Sequence, residues 1–166
     1  MNYSVSASQT IVIIPLVGAI DLKTKNSNEF ITVNQVHLFS SEEETTFSIS
    51  NPYERELVNF LQIRFYLKSN NTSTITFDLA SRNEVIKLTE NENFCLSIGI
   101  FDARNEANYQ IKNKNHGLFT FLLNGAFEFQ NRLLENRDGL KIWDLKQIEF
   151  EALSNNAMLL IIDVLI

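Results

Sequence analysis

The chain has 166 residues, 45% of them hydrophobic and 20% charged, with a formal net charge of −6; that is enough apolar material for one large or two small cores, and it excludes a disordered chain. The negative balance, with no cluster of Lys and Arg, argues against nucleic acid or an anionic membrane as a partner, since both need clustered cations. Cys95 is the single cysteine, which excludes an intrachain disulfide and an all-cysteine zinc site, and the apolar run Ile11 to Ile20 is too short to span a bilayer and lacks a positively charged flank, so the expected location is the cytoplasm.

Thirteen phenylalanines and two prolines suit a chain of pleated, packed strands. Thr10 to Val17 reads as a buried strand, Lys23 to Glu29 as a polar hairpin loop and Phe30 to Phe39 as the return strand. Ser40 to Glu44 is an acidic turn, and Thr46-Phe47-Ser48-Ile49-Ser50 alternates with period two until Asn51-Pro52 breaks it. Leu57 to Leu67 is the next strand. Lys68 to Ser73, polar and turn-rich, is the expected boundary between an N-terminal domain over 1–69 and a C-terminal domain over 74–166.

Beyond it, strands are expected at Thr74 to Leu79, Glu84 to Leu88, Phe94 to Phe101 and Ala107 to Ile111. Further strands follow at Leu118 to Leu123, Ala126 to Phe129, Leu133 to Leu134, Leu140 to Trp143, Gln147 to Ala152 and Ala157 to Leu165. No helix is expected. Many short strands with regular turns imply an all-β sandwich or barrel.

An internal repeat organises these elements. Leu16-Val17-Gly18-Ala19-Ile20-Asp21 and Leu123-Asn124-Gly125-Ala126-Phe127-Glu128 share one pattern, apolar-x-Gly-Ala-apolar-acid. Each follows an apolar run and leads through a hairpin to a strand opening with Asn34-Gln35-Val36 or Arg137-Asp138-Gly139. Two similar β-domains follow from this repeat.

The repeat and its surroundings resemble the pirin family, whose members are bicupins. Asn124 to Leu133 resembles the family's Gly turn and its return strand, Arg137-Asp138-Gly139 resembles its Gly-Asp-Gly turn, and Leu159 to Val164 resembles its closing Leu-Leu-Phe-Asp-Leu. In the first half, Ile14 to Gly18 resembles Val-Leu-Glu-Gly, Asn34 to Phe39 resembles Gly-Asp-Val-Gln-Trp-Met, and Leu61-Gln62-Ile63 resembles Leu-Gln-Ile-Trp. The resemblance implies two cupin-like antiparallel β-barrels of the double-stranded β-helix type. It also implies a metal in the N-terminal cupin, held by a His-x-His pair before the first strand and a His-x-Glu pair after the acidic turn. Side chains two apart on a strand share a face, which aims such pairs at one ion.

An ungapped register puts Phe47 at that His and Ile49 at that Glu, and counting back from Gly18 puts Ser4 and Ser6 near the His-x-His. Serine is a poor neutral ligand, and Phe and Ile carry no donor atom. If Phe47 and Ile49 face inward, they fill the space of a metal and substrate, and burying them contributes about 3–6 kcal/mol together. The expected site is therefore a degenerate metal site.

The other candidates have plainer readings. His37 and His116, the only histidines, lie in different repeats and are too few for a metal centre; His37 is read as a strand side chain and His116 as an exposed turn residue. Cys95 is read as an inert core thiol. Glu42-Glu43-Glu44 is read as a solvated turn, Asp138 as a residue bonding its own turn, and Trp143 as a core or interdomain anchor ahead of a stacking platform for a ligand. The resemblance alone implies a quercetinase-type dioxygenase with a single divalent transition metal such as iron. The substituted ligands imply a pirin-like binding or interaction module without a cofactor, working as monomer or homodimer with a protein or small-molecule partner. Outside the family, the chain would be a self-associating structural β-protein.

Overall fold

The computed structural model describes residues 1–67 and 72–166, and among these it contains strands, turns and no helix. Contacts divide the chain into two units, Met1–Asp78 and Leu79–Ile166.

In the first unit β1 (Asn2–Val5), β6 (Thr45–Ser50), β3 (Ile20–Lys23) and β4 (Asn28–Ile31) lie side by side in that order as one antiparallel sheet. β7 (Asn59–Phe65), β2 (Gln9–Val17), β5 (Gln35–Ser41) and β8 (Ser73–Thr76) form the other. Period-two alternation puts Val5, Phe47, Ile49, Ile20, Leu22 and Ile31 of one sheet against Ile11, Ile13 and Phe39 of the other.

The second unit has a five-stranded sheet, ordered β15 (Gly139–Ile142), β12 (His116–Asn124), β17 (Ala157–Leu165), β10 (Phe94–Phe101) and β9 (Glu84–Glu90). It faces a four-stranded sheet of β11 (Glu106–Gln110), β16 (Gln147–Ala152), β13 (Phe127–Phe129) and β14 (Leu133–Leu134). Phe101, Phe127, Phe129 and Phe150 dominate the core between them, with Phe129 stacked on Phe150 at 5.3 Å and Phe101 edge-on to it at 5.4 Å. These are cupin-type pairs of facing sheets with open seams rather than closed barrels.

The internal repeat is a repeat of topology. The order β1-β6-β3-β4 recurs as β11-β16-β13-β14, and β7-β2-β5 recurs as β17-β12-β15. Gly18 (φ 72°) and Gly125 (φ 78°) occupy equivalent turns, each just after a register shift in the preceding strand. Asn34 and Arg137 both adopt positive φ. The next residue in each repeat then folds back on the turn: Thr32 N donates to Gln35 Oε1 at 2.9 Å, and Glu135 N to Asp138 Oδ2 at 2.9 Å.

Most expected strands are present, those at Phe94–Phe101, Leu133–Leu134, Gln147–Ala152 and Ala157–Leu165 with the expected bounds. The expected return strand Phe30 to Phe39 is two strands, β4 and β5, because Asn34 turns the chain between them. β1 is an addition: four polar-to-mixed residues at a sheet edge carry no clear alternation. The expected linker 68–73 lies mostly outside the described residues; Ser73–Thr76 pairs with β5, Gln35 opposite Thr76, inside the first unit.

Candidate functional site

Phe47 and Ile49 stand together on the inner face of β6, 3% and 4% exposed. The Phe47 ring stacks on Tyr3 with centroids 5.0 Å apart and meets Phe39 edge-on at 5.1 Å. Ser4 and Ser6 do not join them. Ser4 pairs with the exposed Thr46, which puts it on the outer face of β1, and Ser6 is exposed in the turn beyond. Tyr3 and Val5 take the inner face instead. The second unit has the same construction. By register, Tyr109 corresponds to Tyr3, Ile148 to Phe47 and Phe150 to Ile49, and both Ile148 and Phe150 belong to its core.

His37 lies opposite Ile13 on the inward side of β5 and is 1% exposed. Nδ1 sits 2.8 Å from Thr74 Oγ1, while Nε2 is buried with no hydrogen-bond partner. Burial holds the imidazole below its ordinary pKa, with the Glu29 carboxylate opposing, so the neutral ring is favoured. The register equivalent in the second unit is Leu140, packed against the core. A histidine at an apolar position explains the orphaned nitrogen.

The second unit carries a larger polar group. Asp163 is fully buried, and Oδ1 lies 2.6 Å from Nδ1 of the buried His116. Oδ2 accepts from Lys112 N at 2.7 Å and from the Tyr109 hydroxyl at 3.3 Å. Burial first, then the neighbouring Cys95 and Asp163, push the Tyr109 phenol up, so it remains a donor. Cys95 stands directly opposite Asp163 in register, with its thiol 3.7 Å from Ser97 Oγ. This end of the second unit opens as a slot of about 570 Å³ between β9 and β11, with Cys95, Ser97 and Tyr109 among its lining.

Residues 69–164 match the model of the quercetinase C-terminal cupin domain, a pirin domain. The chain belongs to the pirin family. Solved structures agree on the fold. YhhW from Escherichia coli is 16% identical with a TM-score of 0.86, covering 99% of this chain and 74% of that one. The same bacterial pirin has been solved in complex with nickel(II), at 16% identity and a TM-score of 0.84 over 99% and 76% of the two chains. Quercetin 2,3-dioxygenase from Acinetobacter baumannii is 13% identical with a TM-score of 0.74, over 98% of this chain and 61% of that one. No curated protein sequence matches.

The pirin resemblance implies a metal in the first cupin, and the residues at the four assigned positions do not fit one. Phe47 and Ile49 offer no donor atom, Ser4 lies on the outer face of β1, and Ser6 is exposed beyond that strand. Among the described residues no group of three or more His, Cys, Asp or Glu side chains is arranged to hold a metal ion.

Two sequence readings need correction. His116 is a buried strand residue paired with Asp163, because His116 shares the inward parity of Leu118. Trp143 is 52% exposed, not core, with Lys141 Nζ 5.5 Å above its ring. Asp138 and the acidic turn Glu42-Glu43-Glu44 stand as expected, the former bonded to its turn and the latter exposed. The Asp163 network is what the sequence reading missed. Its signal was a lone carboxylate inside the apolar run Ala157–Leu165, since a buried charge needs a partner.

Proposed function

We propose that the chain is a pirin-like cupin that works without catalysis, as a binding or interaction module in the cytoplasm, and without a metal cofactor. The observation that carries this reading is the packing of Phe47 and Ile49, which fill the core where the resemblance places a histidine and a glutamate. Their counterparts Ile148 and Phe150 do the same in the second unit. The reading treats the first cupin as built like the second, with apolar side chains at both strand positions. Ring-opening oxygenation requires a metal that binds and activates the flavonol or dioxygen, and a donor-free pair cannot hold one. The partner is a protein or a small molecule, and the working state a monomer or homodimer. Among the described residues no helix is long and apolar enough to cross a membrane.

The second reading, a metal-dependent quercetinase-type dioxygenase, is favoured by the likeness to a nickel-bound pirin and to a quercetin 2,3-dioxygenase. Quercetin turnover by the unmodified protein, with iron, nickel or copper added, separates the two. The binding reading expects turnover no greater than that of heat-denatured protein. Turnover well above that control and abolished by chelator overturns it in favour of the dioxygenase.

A further inference from the structure

We propose that the second unit binds a neutral, polyhydroxylated small molecule of about monosaccharide size in the slot between β9 and β11; this deepens the binding reading above and rests on it.

The slot comes from an asymmetry between the halves. In the first unit the strand bordering β1 across the seam is β7, and Arg64 Nη1 bridges the gap by donating to Ser4 O at 2.8 Å. The register equivalent of Arg64 is Asp163, because Ile11 faces Arg64 as Leu118 faces Asp163. Asp163 makes the corresponding link from β17, accepting from the Tyr109 hydroxyl of β11 and from Lys112 N just beyond it, so the difference lies further out. The sheet extends past β17 by β10 and β9, so β9 and β11 are both end strands and flank an opening of about 570 Å³. That volume lies within the range of small-molecule sites.

The lining contains a buried hydroxyl whose one side-chain hydrogen bond goes to a thiol. Ser97 is 1% exposed, lines the slot, and has Oγ only 3.7 Å from the Cys95 thiol, a weak partner in place of an oxygen or nitrogen. A hydroxyl can donate one hydrogen bond and accept others, so this bond to a thiol leaves Ser97 Oγ with capacity for a further partner. A ligand hydroxyl would supply it.

The rim selects against charge. Lys87 and Lys112 both pair with Glu90, and Glu84 adds a second carboxylate, so two ammonium groups balance two carboxylates. An anion would meet the carboxylates and a cation the lysines. A hydroxyl donates and accepts at once, which suits alternating donors and acceptors. Val85, Ala107 and the Tyr109 ring add an apolar wall against which the C–H face of a polyol can lie.

Amide NMR on the full chain tests this, with glucose, galactose, mannose and myo-inositol as probes and sodium acetate and tetramethylammonium chloride as charged controls. At least one polyol is expected to give saturable shifts at Lys87, Ser97 and Tyr109, with a Kd near 1 mM or tighter. Ser97→Ala should weaken that affinity about tenfold, the scale of one lost hydrogen bond. Lys87→Met, at an exposed rim position whose surface ion pair contributes little to stability, should weaken it several-fold. Linear, unsaturating shifts with every polyol, an equal response to acetate or tetramethylammonium, or unchanged affinity in both variants overturns the proposal. Quercetin turnover bears on the non-catalytic reading alone, so the two can fail separately.

Discussion

Truncating Phe47 to alanine probes the packing on which the functional reading rests. The side chain is 3% exposed, stacked on Tyr3 at 5.0 Å and edge-on to Phe39 at 5.1 Å. Loss of a buried phenyl ring costs about 3–5 kcal/mol, counting both transfer and the cavity left behind. The two ring pairs, each about 0.5–1.5 kcal/mol beyond area burial, put Phe47→Ala in the upper half of that range. For a unit the size of Met1–Asp78, each kcal/mol moves the midpoint by about 4–8 °C, so a loss of about 4 kcal/mol lowers the first unit's Tm by roughly 15–30 °C. Urea denaturation followed by far-UV circular dichroism measures the change, with Ile148→Ala as the matched variant in the second unit, at about 2–5 kcal/mol. A cost below about 1 kcal/mol for Phe47→Ala, the range of a surface substitution, would refute the assignment of Phe47 to the core.

Two further outcomes follow from the buried polar groups. Asp163→Ala strips the partner from His116, Lys112 N and Tyr109 together, and should cost about 3–5 kcal/mol in urea denaturation, the scale of breaking a buried pair. His37 has a folded pKa held below its ordinary value of 6.5, so as pH falls through that value the unfolded chain takes up a proton that the folded chain resists. Stability present above pH 6.5 is therefore lost as pH falls below it, and His37→Leu should flatten this acid limb in Tm measured between about pH 5 and pH 7.5.

The alternation of Phe47 and Ile49 and the two glycine turns were legible in the sequence because they depend on local parity and on backbone needs that few residues meet. The same parity read from Gly18 went astray at the N-terminus. Val5 packs inward and Ser6 lies in the turn before β2, so Ser4 and Ser6 fall on the outer side while Tyr3 and Val5 fill the core. A polar edge strand of four residues carries no pattern to correct this. The Asp163 group was illegible for another reason. His116 meets Asp163 across the β12–β17 pairing, 47 positions apart, and Tyr109 reaches it from the facing sheet, 54 positions apart, and nothing local says which elements meet. The slot is hidden likewise, since it depends on β9 and β10 extending one sheet beyond the strands that the two repeats share.

Metal content after reconstitution is the most direct test of the central claim. Purified protein incubated with iron, nickel or copper, then desalted and assayed by elemental analysis, is predicted to retain no stoichiometric transition metal, because the inward positions of β6 hold Phe47 and Ile49. Retention of about one ion per chain, lost on substituting a residue inside the first cupin, would contradict the account.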